Sequence, residues 1–188
     1  VPDPTAMRPR HWAATALGLA LLLGGLGAVR ADAGAERFRR GPDVAPVTDA
    51  AYREECGACH FAYPPGLLPV RGWRRVMGGL SDHFGDDASL PGATRDALTA
   101  YLAANAADRA REVRSVQIAR TLPPDAVPMR ISTLPLIRRK HADLAPRMVA
   151  DNPEVGSLAR CEACHMRAPE GYYSEGSVRI PGFGRWDG

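Results

Sequence analysis

Apolar residues fall along this chain in short helical registers, separated by stretches rich in proline and glycine. Trp73, Val76, Met77, Leu80 and Phe84 recur at i, i+3, i+4, i+7 and i+11, the spacing of one helical face. Gly85 stands where such a helix would be C-capped. Leu98, Tyr101, Leu102 and Asn105 keep register in a second helix over 93–105, and its arginine-rich continuation, 108–114, is predicted to be exposed. Thr48 can N-cap an earlier helix that begins with Asp49. Thr133 can cap a later one carrying Leu134, Ile137, Leu144 and Met148, with Pro135 in its first turn and Pro146 ending or kinking it. Residues 155–166 read as helical again, and the tail from Gly171 as mostly irregular. No stretch of four or more residues alternates convincingly, so the predicted fold is mainly α.

Organisation follows from the breaks in this pattern. Met7, Arg8 and Arg10 precede an apolar run from Trp12 to Val29, and Ala31-Asp32-Ala33 supplies a small-x-small cleavage pattern. Residues 1–33 therefore read as a secretory signal peptide starting at Met7 and cleaved after Ala33. An uncleaved anchor is the bland alternative, but four glycines make the run marginal for a membrane span. The expected location is the periplasm. Residues 34–47 are polar, proline-bearing and aperiodic, a flexible lead-in. A first ordered region over 48–114 and a second over 130–188 are joined by 115–129, where Pro123, Pro124 and Pro128 suggest a linker.

Charge narrows the class. Arginine supplies 23 of the 24 basic residues, yet the net charge is only +3 and no basic tract appears. That argues against a nucleic-acid partner, which calls for a concentrated basic face. An apolar content of 45% argues against long disorder.

One short motif occurs twice and decides the chemistry. Cys56-Gly-Ala-Cys59-His60 and Cys161-Glu-Ala-Cys164-His165 use all four cysteines. C-x-x-C-H is the signature of covalent c-type haem attachment. On a helical turn, i, i+3 and i+4 share one face, so two thiols reach the two vinyl groups of one porphyrin and the histidine meets its iron. The rivals are thioredoxin-like redox pairs, a single four-cysteine zinc site and two structural disulfides. None requires a histidine after both pairs. With 5 His in 188 residues, two such followers arise by chance roughly once in 1,400. A zinc ribbon spaces its pairs about 15–20 residues apart, whereas 101 residues lie between Cys59 and Cys161. Export agrees with this reading, because bacterial c-type haem is attached outside the cytoplasm. Two covalently bound haems c are expected, held by Cys56, Cys59, Cys161 and Cys164.

Beyond the leader four histidines remain. His60 and His165 are the proximal ligands, which leaves His83 and His141 for two irons that each lack a distal one. His83 falls at i+7 from Val76, and His141 at i+4 from Ile137, each on an apolar helix face. A lone histidine in such a setting is ordinarily a hydrogen-bonded core residue; the count of irons reverses that reading. Met77, Met129, Met148 and Met166 are the competing axial ligands. Local pairing, His60 with His83 and His141 with His165, is preferred over a crossed arrangement. Arg71, Arg74 and Arg138 are candidate partners for haem propionates. Tyr63, Trp73, Phe84 and Tyr101 are expected to pack on haem.

The chain from about Tyr52 to Phe183 resembles the periplasmic dihaem cytochrome c family of purple and other proteobacteria. The resemblance rests on both C-x-x-C-H motifs, on Tyr63-Pro-Pro-Gly-Leu-Leu-Pro69, His83-Phe-Gly85, Arg130-Ile-Ser132 and Lys140-His141. It implies two helical haem-binding lobes, the first like a small cytochrome c and the second with much irregular loop. It also implies His60, His83, His141 and His165 as iron ligands. The implied acceptor is a small high-spin monohaem cytochrome c, and the implied donor a membrane b-type cytochrome. Two other function classes compete with an electron carrier. A dihaem peroxidase or small-molecule reductase needs an open iron position, and a haem-based redox or gas sensor needs an output domain, of which none is recognisable in the sequence.

Overall fold

The computed structural model describes residues 41–186. The leader expected over 1–33, and the first part of the lead-in, lie outside the described residues.

Helix α1 (Ala50–Gly57) is capped by Asp49, whose carboxylate accepts the Tyr52 N–H at 2.8 Å. Thr48, the expected cap, instead donates its N–H to the Tyr101 hydroxyl. A carboxylate serves well at a cap because it also meets the positive end of the helix dipole. Pro64 to Pro69 follow α1 and are all buried.

Helix α2 (Val70–Met77) has no capping side chain of its own; Asp108 accepts the Val70 N–H at 2.9 Å from across the fold. Trp73, Val76 and Met77 are buried as predicted, but the helix ends at Gly78. Leu80 stays buried in a 3-10 turn, Leu80–Asp82, and the register is lost beyond it. Phe84 is consequently 41% exposed, at φ +60°. The helix predicted to run to Gly85 is thus replaced by a short helix and two turns, because Gly78-Gly79 supplies an earlier stop. Helix α3 (Gly92–Ala104) matches the prediction closely and packs chiefly on α2 through Leu98 and Leu102.

Helix α4 (Val113–Thr121) occupies the first part of the segment read as a linker, 115–129. Ser115 and Ile118 on it are fully buried, against the Pro65–Leu67 turn and the next helix. The prolines that suggested a linker, Pro123, Pro124 and Pro128, lie beyond the helix. Helix α5 (Pro135–Lys140) starts with proline in its first turn, as predicted. Thr133 does not cap it; its hydroxyl donates to the Arg130 carbonyl. The helix stops before Leu144 and Met148, and Ala145 is extended, the conformation that a following proline favours.

The helix predicted over 155–166 shrinks to α6 (Cys161–Cys164). Asn152 organises the turn before it, accepting the Glu154 N–H and donating to the Pro181 carbonyl, and Gly156 continues at φ +71°. Two-residue strands β1 (Arg179–Ile180) and β2 (Gly184–Arg185) close an antiparallel hairpin.

The lead-in is not loose where it is described. Val44 is completely buried, and its N–H donates to the Gly171 carbonyl at 3.1 Å. Asp43 accepts from the Arg114 N–H with its carbonyl and from the Tyr173 N–H with its carboxylate. One buried apolar cluster runs from Val44 through Tyr52, Leu67, Trp73, Leu102 and Ile118 to Leu136, passing through the position of the expected linker.

Candidate functional site

The two C-x-x-C-H motifs sit at the ends of α1 and α6, and each faces a second histidine. His60 and His83 have ring centroids 6.1 Å apart and nearly parallel planes, at 22°. His141 and His165 have centroids 6.0 Å apart, with planes at 73°. Two metal–nitrogen bonds of about 2 Å, plus about 1.1 Å from each nitrogen to its ring centre, would separate imidazoles on one iron by about 6.2 Å. Both pairs match that spacing. The rings that face each other are the two local pairs, His60 with His83 and His141 with His165.

Neither distal histidine reaches its place by the predicted route. His83 exchanges backbone hydrogen bonds with Asp86, and Phe84 and Gly85 between them both have positive φ, +60° and +109°. This is the geometry of a tight type I′-like turn, with phenylalanine where asparagine is usual. The Arg130 guanidinium lies 4.0 Å over the Phe84 ring, a favourable cation–π contact. His141 ends α5, and its Nδ1 donates to the Ile137 carbonyl at 2.8 Å. His60 Nδ1 donates likewise to the Phe61 carbonyl. Each bond fixes one ring nitrogen as donor and frees Nε2 for a metal.

The chemistry of the donors fits haem attachment better than its rivals. No two of the four cysteines are joined as a disulfide. Burial pushes Cys161 up to about 12 and Cys56 up to about 11, the reverse of the depressed thiols of redox and zinc sites. Among the described residues no three metal-ligating side chains cluster, so one four-cysteine zinc site is not formed. Burial, with His141 and Arg114 nearby, lowers His165 to about 4, keeping it the neutral imidazole that a ligand must be. Burial also lowers His83. His165 Nδ1 and the Tyr173 hydroxyl are buried without a partner beside an apolar cavity of about 400 Å³. Cys161, Cys164, His141 and His165 line that cavity with Ile137, Leu144, Leu158, Val178 and Trp186. These residues would hold a porphyrin against the second pair, and Cys56, Cys59, His60 and His83 would hold one at the first.

A family profile described as dihaem cytochrome c matches residues 52–173. The chain belongs to the dihaem cytochrome c family. It is 40% identical to a dihaem cytochrome c from Shewanella baltica OS155, over 73% of this chain and 97% of that one, with a TM-score of 0.61. It is 44% identical to the dihaem cytochrome c of Rhodobacter sphaeroides, over 69% of this chain and all of that one, also at 0.61. A further structure from Rhodobacter sphaeroides gives 43% identity and a TM-score of 0.56, covering 68% of this chain and 99% of that one. No curated protein matches. This dihaem cytochrome c carries two covalently bound haems c, each supplying a one-electron ferric/ferrous couple.

Other expectations resolve residue by residue. Tyr63 packs on His60 and Phe84 on His83, with ring centroids 5.1 and 4.8 Å apart. Trp73 is a core residue donating to the Pro65 carbonyl, and Tyr101 packs on Tyr52. Arg71 is not at either centre; it donates to the Ala126 and Pro123 carbonyls and pins that loop. Neither Arg74 nor Arg138 lines the second cavity, where Arg114, Arg139, Lys140 and Arg160 stand instead. Sequence reasoning passed over these four, and Tyr173, whose ring lies 5.3 Å from that of His165. The pairing of Lys140 beside His141 was the one available signal.

Proposed function

We propose that this dihaem cytochrome c is a periplasmic carrier of single electrons, with His60 and His83 on one iron and His141 and His165 on the other. The observation that carries this reading is the pair of imidazole separations, 6.1 and 6.0 Å. An iron held between two such rings has no open position, and peroxidase or reductase chemistry requires one. The leader motif supports export. The proposed acceptor is a small high-spin monohaem cytochrome c, and the proposed donor a membrane b-type cytochrome, both on the strength of the family resemblance. Carbon monoxide added to the reduced protein tests the reading. The optical spectrum is expected to stay unchanged; stoichiometric binding at either haem would turn the assignment toward an enzyme or sensor. Stopped-flow mixing with the proposed acceptor should show rapid oxidation of the reduced protein, and no transfer would remove that partner.

A further inference from the structure

Helix α2 buries Trp73, Val76 and Met77, and its other side carries charge. Arg71, Arg74 and Arg75 stand at i, i+3 and i+4, so they share one face of the helix. With Arg109 from the segment after α3, and Val127 from the loop beyond α4, they line a surface groove of about 590 Å³. Asp108 is the one acidic side chain lining it, and one of its carboxylate oxygens already accepts the Val70 N–H at 2.9 Å. Among the described residues, Arg74, Arg75 and Arg109 have no side-chain hydrogen bond or ion pair. The helix dipole accounts for Arg74 and Arg75, which lie in the last turn of α2, but not for Arg109, which belongs to another segment. Like charges gathered in one place repel, and a groove that keeps them is complementary to an acid.

The groove is preformed. Arg71 donates to the Ala126 and Pro123 carbonyls and so ties the loop to α2. A Cβ at Gly72 would strike the Pro128 carbonyl, so loop and helix lie in direct contact. Val127 on that loop is 50% exposed and sets an apolar contact among the charges. Arginine beside an apolar spot is the composition of a protein interface. Both walls lead to the first centre. Helix α2 continues through the Leu80–Asp82 turn to His83, and the loop runs on to Arg130, whose guanidinium covers Phe84 beside His83.

We propose that this groove is the docking surface for the acidic face of an electron-donating protein that reduces the first haem. The arginines steer the partner and pair with its carboxylates, and Val127 seats it. One electron leaves the partner's reduced cofactor, and the ferric iron of the first haem becomes ferrous. The proposal rests on the reading of this chain as an electron carrier.

The test uses the full-length protein with both haems attached. Reduced flavodoxin, an acidic one-electron donor, is the probe, and photoreduced lumiflavin, small and uncharged, is the control reductant. Arg75→Glu with Arg109→Glu is compared with Arg147→Glu with Arg179→Glu, two exposed arginines outside the groove whose reversal changes the net charge equally. Stopped-flow and flash-photolysis recording give the rates of haem reduction at several salt concentrations. Reduction of wild type by flavodoxin is expected to slow as salt rises. The groove variant is expected to react about tenfold more slowly at low salt and to lose most of that salt dependence. The second variant should change little, and lumiflavin should reduce all three proteins alike. A groove variant that flavodoxin reduces at the wild-type rate, or a second variant slowed as much, overturns the proposal. Should the reversals not take up both haems, Arg75→Gln with Arg109→Gln carries the same test, and a wild-type rate in it is equally fatal. A wild-type protein that accepts no electron even from lumiflavin fails as a carrier, and the docking site falls with that reading.

Discussion

The two centres share a motif and a histidine spacing, yet they are built differently. The first follows an eight-residue helix with a proper N-cap, and Cys59 and His60 remain exposed beside it. The second rests on a four-residue helix without a side-chain cap, inside a cavity lined by four basic residues against two acidic ones, Asp143 and Glu175. Local secondary structure holds the first C-x-x-C-H; tertiary packing holds the second. The difference should be functional. Burial and nearby positive charge both disfavour the ferric form, so the second haem should have the higher potential. The ring planes differ as well, 22° against 73°, and that angle sets the splitting of the iron orbitals. Electron paramagnetic resonance should show one rhombic low-spin signal and one of the large-g type.

Removing attachment would break the comparison most severely. Cys56→Ala with Cys59→Ala, and Cys161→Ala with Cys164→Ala, should each cost one covalent haem by mass spectrometry of the denatured protein. The second pair should cost more stability, by roughly several kcal/mol, because the haem there fills a cavity on which several elements converge. Equal melting temperatures would show that the two haems support the fold equally. Removing a distal ligand is the next largest step. His83→Ala and His141→Ala should each convert one haem to high spin and open it to carbon monoxide, with the other untouched.

Charge offers a finer probe. Arg114 lines the second cavity and helps depress His165. Arg114→Gln should lower the second potential alone, by on the order of 50–80 mV for a unit charge at roughly 10 Å and an effective dielectric of about 20. A redox titration in which both potentials move together would show that this charge is not local. The smallest effect is expected at the turn that positions His83. Phe84→Asn relieves a left-handed phenylalanine, a strain of about 1–2 kcal/mol, and gives up a cation–π contact of about 0.5–1 kcal/mol. Stability by chemical denaturation should therefore change by no more than about 1 kcal/mol, and the first haem should stay low-spin.

What the sequence discloses divides along the same line as the two centres. Residues 56–60 and 161–165 are legible because the chemistry fixes their spacing. Helix α3 is legible because its apolar register is unbroken. His83 and His141 were found by counting ligands against irons, although periodicity placed both on helix faces; one sits in a turn and the other at a helix end. Helix α4 was hidden by the prolines that follow it, Pro123, Pro124 and Pro128, which made the whole segment read as a linker. The hold on Asp43 and Val44 was invisible because their partners lie far along the chain, with Tyr173 130 positions from Asp43. Local pattern carries no trace of a bond that distant.

That last clasp also imposes an order of events. Val44 and Asp43, near the first described residues, are secured by Gly171 and Tyr173, near the last. A contact of such sequence separation forms late, after the cost of closing a long loop has been met. Until residues 171 and 173 are in place the clasp stays open, and the second cysteine pair, between Arg114 and Tyr173 in sequence, remains reachable.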